Sequence, residues 1–353
     1  MKFNILAVSI ACATMSFGTM AADIKAGPGT LTLGGNMRID MNAMKQSVDL
    51  KSSTTKLKSD KTTFNTNGRL SFTADYIVEQ NGYKVKARVN PLLKTDGTVT
   101  MDDAYLDLKN VGNAYVGAQL GRFEALDLSP LQIDIFVDDA DTASLVDGEL
   151  FAGHYRGNKY RGRFDGAALL YAGNDLVKFE TNVVFVNEKD KNSNVALRPV
   201  LTVTPSKSFS ISAGLEKGFD NASKDKDELG LATTANVKFG LASLNLSYAY
   251  KTSKPLLKGT NTRVDTKLHT FGTNIAAYGF GVGAFYTTAN NEVKNGSVGD
   301  VNLFTTYAGY EHKDFLVDSL TASTGAYYTS AKADKVSGDV SEYGARVRLQ
   351  YNF

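Results

Sequence analysis

Between Phe123 and Lys159 lie eight carboxylates: Glu124, Asp127, Asp134, Asp138, Asp139, Asp141, Asp147 and Glu149. Only Arg156 and Lys159 offset them, so the segment carries a net charge of −6. Cations recur elsewhere on the polar side of alternating stretches. Arg38, Arg69, Lys84, Lys86 and Arg88 stand near the amino end, and Arg346 and Arg348 near the carboxy end. Two such arrays facing each other across water would set a transverse field that orients charged or dipolar solutes. Like charges at close spacing repel, so the basic array needs water, counter-ions or the carboxylates to persist. Arg161 and Arg163, at the far end of the acidic segment, either anchor it or extend the basic array.

Bond-making chemistry has much thinner support. His154, His269 and His312 are far apart and lack metal-ligand spacing. No Gly-x-Ser-x-Gly nucleophile elbow occurs. Gly279, Gly281 and Gly283 lie in an alternating strand with no helix after it, so they relieve crowding in a wall rather than cradle a nucleotide. No cofactor is implied, and no enzyme activity is expected.

The elements that must position the charges are strands. In the final stretch Tyr343, Ala345, Val347, Leu349, Tyr351 and Phe353 fall on one side, and Glu342, Gly344, Arg346, Arg348, Gln350 and Asn352 on the other. A soluble core would have to supply buried partners for both arginines, whereas a water-filled lumen solvates them. The same alternation recurs along the chain and predicts sixteen strands: 29–44, 62–79, 83–90, 99–109, 113–122, 160–172, 176–188, 194–204, 207–218, 227–239, 242–252, 262–276, 279–290, 300–311, 318–331 and 341–353. Short turns such as Gln80 to Gly82 alternate with longer polar connections such as Lys45 to Lys61. The fold class is therefore all-β, a transmembrane antiparallel barrel whose apolar face meets lipid and whose polar face meets water. A soluble two-sheet sandwich would need inner faces dense in Ile, Leu and Val, whereas these apolar faces mix Gly, Ala, Tyr and Thr.

The amino end carries Lys2, an apolar run from Ile5 to Ala13 and small residues at Thr19 and Ala21, as a secretory signal does. Cleavage after Ala21 leaves residues 22–353 as the barrel domain. It also removes Cys12, the one cysteine of the chain, and with it any disulfide or thiolate site. Beyond this segment no run of about 18 apolar residues offers a membrane-spanning helix. A net charge of +2 on the 353-residue chain gives no basic field for nucleic acid.

In its whole architecture the chain resembles a sixteen-stranded general diffusion porin of the Gram-negative outer membrane. That family's third external loop folds into the barrel and narrows the pore, and the third external connection here is Phe123 to Lys159. The resemblance implies that Asp134, Asp138, Asp139, Asp141, Asp147 and Glu149 face the basic residues of the opposite wall across a constriction. The family's Pro-Glu-Phe-Gly-Gly signature is absent from this loop, where Asp138-Asp139-Ala140-Asp141 and Leu145 to Glu149 stand instead. This leaves pore width and selectivity open: the wall favours anions and the loop cations.

The expected function is passive diffusion of small hydrophilic solutes and ions through a water-filled pore. The partners implied are outer-membrane lipid and lipopolysaccharide, two further copies in a homotrimer, and the insertion machinery that reads the terminal Phe353. The second external loop, Pro91 to Thr98, is short for a latch onto a neighbour, so a monomer stays open. A saccharide-specific porin is the alternative, with Tyr105, Tyr115 and Tyr171 as inward aromatic candidates and no Trp in the chain. An adhesin or receptor using the external loops is a third class. The basic first loop (Lys45, Lys51, Lys56, Lys58, Lys61) would suit lipopolysaccharide phosphates.

Overall fold

The computed structural model describes residues 22–51, 56–110, 115–133, 153–164, 166–186, 194–219, 228–254, 263–293, 296–297, 299–334 and 337–353. Its strands are β1 (Ala22–Ala26), β2 (Gly29–Lys51), β3 (Lys56–Gln80), β4 (Tyr83–Lys94), β5 (Val99–Asn110) and β6 (Tyr115–Arg122). After the long connection come β7 (Ala167–Gly173), β8 (Val177–Val186), β9 (Asn194–Ser206), β10 (Phe209–Phe219), β11 (Leu229–Phe239) and β12 (Ala242–Ser253). The chain ends with β13 (Asp265–Ala277), β14 (Phe280–Val293), β15 (Gly296–Ser297), β16 (Val301–His312), β17 (Leu320–Ala333) and β18 (Ser337–Asn352). No helix among the described residues is long and apolar enough to cross a membrane.

Sixteen of these strands pair antiparallel with their sequence neighbours, and β18 closes on β2 from Ser337↔Lys51 to Asn352↔Asn36. Closure leaves the sheet without an open edge, as a span through hydrocarbon demands. The short β1 lies against β2 below the end of β18, with Ala22 opposite Leu33. There Gly35 and Phe353 exchange backbone hydrogen bonds of 2.8 and 3.0 Å, which fixes the terminal aromatic at the closing seam.

Side-chain parity places Met37, Ile39, Met41, Phe271, Ile275 and Val282 on the outer surface, where all are exposed. The inner face of the same strands carries Arg38, Asp40, Thr270, Asn274 and Thr287. Two turns at the Phe353 end are tight because their residues accept positive φ. Asn81 and Gly82 sit at 52° and 76°, and Tyr278 and Gly279 at 52° and 81°, the mirror-image turn that matches strand twist.

Two boundaries differ from expectation. The stretch from Lys45 to Lys61 is not a polar loop, because β2 and β3 remain paired through Lys45↔Thr62 and Asp49↔Lys58. Its polarity reflects a hairpin that rises above its neighbour β4, whose pairing with β3 starts at Arg69↔Lys94. The strand expected from 160 begins at Ala167. Tyr160 to Phe164 instead belong to the connection that enters the barrel, and Tyr160 is buried there.

Candidate pore and constriction

The described ends of the connection between β6 and β7 run along the inner wall. The outgoing stem, Phe123 to Ile133, meets successive strands in order. Ser129 Oγ lies 3.0 Å from Ser247 Oγ on β12, and Asn274 Nδ2 of β13 donates to the Pro130 carbonyl at 2.7 Å. Ile133 reaches Gly281 on β14, where a Cβ would stand 2.8 Å from its side chain. That glycine clears room for the stem.

The returning stem, Gly153 to Phe164, is seated deeper. His154 bridges two wall hydroxyls, Nδ1 to Thr287 Oγ1 at 2.8 Å and Nε2 to Thr305 Oγ1 at 2.7 Å. Burial, with the Arg156 guanidinium nearby, lowers its pKa to about 3, so the imidazole is neutral at physiological pH. A neutral ring donates from one nitrogen and accepts at the other, which two hydroxyls satisfy. Tyr155 donates to Glu216 at 2.5 Å, and Lys159 pairs with Glu228. Burial beside these acids raises the Tyr155 phenol above its ordinary value.

Arg198 on β9 joins both stems to the wall. Its side chain is fully buried, bonds Glu216 at 3.0 Å, and donates to the carbonyls of Leu126 at 2.7 Å and Gly157 at 3.1 Å. Leu128, also fully buried, packs with Tyr155, Val200, Ala232 and Ala249 beneath the stems. This part of the apolar interior is a lining between connection and wall. Reading inward parity across β9 and β10 would have found Arg198 and Glu216, since both sit on polar faces of alternating strands.

The opposite arc, β18 and β2 to β5, carries the basic residues, but with acids between them. Asp40 binds Arg348 at 2.7 Å and Arg38 at 3.2 Å. Asp75 takes Arg88 at 2.6 Å and Lys86 at 3.1 Å, and Asp103 lies 3.8 Å from Arg88. Lys84 pairs with Glu79 at 2.5 Å beside the Asn81-Gly82 turn, at the rim. Arg346 bonds Asn42. Arg69 is the exception: it stands opposite Arg38 in register, has no carboxylate partner among the described residues, and its Nε is buried without a hydrogen bond.

Arg161 and Arg163 tie down the base of the connection. Arg161 meets Glu124 at 2.9 Å, while Arg163 meets Glu124 at 2.8 Å and Asp102 at 3.0 Å. Between this base and the basic arc lies a cleft of about 750 Å³ lined by Arg38, Asp40, Arg69, Lys94, Arg122, Glu124, Arg163 and Arg346. Asp134, Asp138, Asp139, Asp141, Asp147 and Glu149 lie outside the described residues. Parity puts all three tyrosines on the inward face, Tyr115 with Gly117 and Gln119 and opposite to the exposed Val116 and Leu120. Tyr105 packs edge-on to Phe123 at 6.4 Å, and Tyr171 donates to Asp107 at 2.6 Å. Tyr115 sits at the turn end of β6, 5.5 Å from the Tyr171 ring. No group of three His, Cys, Asp or Glu among the described residues would hold a metal.

Three solved barrels align over nearly the whole fold. OmpT of Vibrio cholerae in its trimer form gives a TM-score of 0.57 at 15% identity, covering 92% of this chain and 99% of its own. The anion-selective porin from Comamonas acidovorans gives 0.56 at 14%, covering 92% and 100%. The outer membrane channel DcaP of Acinetobacter baumannii gives 0.61 at 11%, covering 94% and 100%. No curated protein sequence matches the chain. The family model described as porin-like glycoporin RafY matches residues 33–353. The closed sixteen-stranded wall and that match lead to one conclusion: the chain belongs to the porin-like glycoporin family and is an integral β-barrel channel of the outer membrane.

Proposed function

We propose that small hydrophilic solutes and ions diffuse passively along the charged arc, between β18–β5 and the connection seated on the other wall. The observation that carries this reading is the asymmetry of the lumen. One wall is covered by Phe123 to Ile133 and Gly153 to Phe164, and the other keeps its arginines partly exposed around the cleft. Asp134 to Glu149 serve as the acidic side of the constriction, and Arg38, Arg69, Arg346 and Arg348 as its basic side. Transport needs no cofactor and no chemical step. Residues 1–21 act as a cleaved export signal, and Phe353 as the insertion signal.

Saccharides are the second reading. It is favoured by the family's description as a glycoporin and by Tyr105, whose ring lies 5.9 Å from the Arg88 guanidinium. An aromatic face beside ionised groups suits a sugar, whose ring is apolar on its faces and polar at its edge. A homotrimer is the proposed assembly, resting on two observations. One of the similar barrels is described in a trimer form. In addition, β6 and β7 have only 8 and 7 residues, against the roughly 9–11 that a tilted strand needs to span hydrocarbon.

Planar-bilayer recording of the purified protein tests these readings. Large conductance steps indifferent to added oligosaccharides support general diffusion. Concentration-dependent block by one sugar class replaces it with the saccharide channel. Absence of steps from folded protein would overturn both.

A further inference from the structure

Along the charged arc the strand register sets acid against base. Asp40 stands opposite Arg348 across β2 and β18, while Asp75 faces Arg88 and Glu79 faces Lys84 across β3 and β4. One row departs from this. Arg38, Arg69 and Lys94 are successive partners across β2, β3 and β4, and all three line the same cleft. Adjacent strands lie about 4.8 Å apart, and like charges directly opposite one another destabilise a sheet.

The carboxylates around this row are engaged elsewhere. Asp40 holds Arg348 at 2.7 Å and takes only Nε of Arg38, at 3.2 Å. Asp96 accepts from Thr98 N at 2.8 Å and Thr98 Oγ1 at 2.6 Å. Asp102 and Glu124 hold Arg163 at 3.0 and 2.8 Å. Arg69 and Lys94 make no ion pair among the described residues, and Arg69 Nε is buried without a hydrogen bond.

The row is also held closed by backbone. Lys94 N donates to Thr98 O at 2.9 Å and Gly97 N to Lys94 O at 3.0 Å, which fixes the end of the β4–β5 hairpin. Thr95 N donates to Gly68 O at 3.0 Å, and Gly68 N to Thr95 Oγ1 at 3.0 Å, which staples that end to β3 beside Arg69. The cations therefore cannot separate by fraying of the hairpin. Their repulsion is relieved by what the cleft admits.

Charge decides what that is. The lining of the cleft holds six cations and four carboxylates, a surplus of two positive charges. A carboxylate solute would supply one negative charge. A phosphate group supplies about −1.5 to −2 near neutral pH, with three acceptor oxygens that reach donors on more than one side chain. We propose that Arg38, Arg69 and Lys94 form a binding site for a phosphate group, free or esterified on a small solute. Arg69 sits at its centre, and the cleft of about 750 Å³ leaves room for the rest of an ester. The site rests on the diffusion reading and names a solute class for it.

Planar-bilayer recording in potassium chloride at about pH 8, above the second phosphate pKa, tests the site with inorganic phosphate, glucose 6-phosphate and acetate. The phosphates should lower the chloride step saturably, and acetate should do so far more weakly. A stronger block by the ester would assign the room in the cleft to its sugar, and an equal block would assign recognition to the phosphate alone; either supports the site. Arg69→Gln should raise the half-blocking concentration at least about tenfold, the usual worth of a hydrogen bond to a charged group. Lys94→Gln, at an exposed position, should raise it about two- to fivefold. Lys94 stands at a hairpin end, so its variant reads the site even where Arg69→Gln folds poorly. Unchanged half-blocking concentrations in both variants would overturn the site, as would acetate blocking as well as phosphate. Intact chloride steps with no phosphate block would overturn it and leave the diffusion reading standing. A protein without chloride steps would instead overturn the diffusion reading, and titration calorimetry of the folded protein with phosphate would still read the site by its heat.

Discussion

The two inner walls of this barrel have similar backbones and opposite solutions for polar side chains. On β9 to β16, under the stems of the long connection, Arg198, Asn245, Thr287 and Thr305 are fully buried and Asn274 nearly so, and the carboxylates Glu216 and Glu228 lie close to a cation. On β18 and β2 to β5 the arginines stay partly wet, and several cations share one acid, Asp40 or Asp75, with Arg69 sharing none among the described residues. Burial makes the first wall a fastening, because desolvated charge must be paired at close range. Water makes the second a conduit, because solvated charge is tolerated unpaired and acts at a distance.

The contrast is broken most severely at Arg198. Replacing it with Leu strands Glu216 and removes donors from the Leu126 and Gly157 carbonyls, a loss of about 3–5 kcal/mol by the usual cost of orphaning a buried charge. Arg88→Leu on the wet wall should cost only about 0–1 kcal/mol, since Asp75 keeps Lys86 at 3.1 Å. Denaturant unfolding in detergent compares them, and equal costs would erase the distinction between walls.

Selectivity should respond in the reverse order. Charge reversal of Arg38, Arg69 and Arg88 shifts the channel toward cations with little loss of folding. Arg69→Glu should give the largest shift and Arg88→Glu the smallest, because Asp75 and Asp103 already offset Arg88. Reversal potentials in a salt gradient check the order, and unchanged potentials would remove all three from the conduction path.

The effect of titration at His154 depends on pH and vanishes near neutrality. Its folded pKa of about 3 lies below the ordinary 6.5, so the unfolded chain takes up the proton first. The contribution of His154 to stability is whole above about pH 6.5 and declines as pH falls toward 3. His154→Gln should flatten that part of the stability profile, measured by unfolding at a series of pH values. An unchanged profile would mean the ring is not desolvated.

The wall was legible in the sequence because parity is a local property: Arg38, Asp40, Arg346 and Arg348 could be assigned a face from neighbours two residues away. The fastening was not. The β9–β10 register sets Arg198 opposite Glu216, but nothing in residues 194–219 announces the connection that covers them. His154 was visible as a lone histidine, but its partners Thr287 and Thr305 are set by strand register more than a hundred residues later. The Lys45 to Lys61 hairpin was misread for the opposite reason. Its polarity resembled a loop, while long-range pairing with β18 and within β2–β3 keeps it extended.

The central claim is that water and ions follow the charged arc and bypass the covered one. With Cys12 as the chain's sole cysteine, inside the segment assigned to the export signal, single introduced thiols can be probed with a charged methanethiosulfonate during bilayer recording. Arg69→Cys and Arg88→Cys should react quickly and lower the conductance step, while Thr287→Cys and Asn245→Cys should stay unreactive in open channels. Fast modification at Thr287 or Asn245, with Arg69 and Arg88 silent, would place the water path on the other wall and contradict the account.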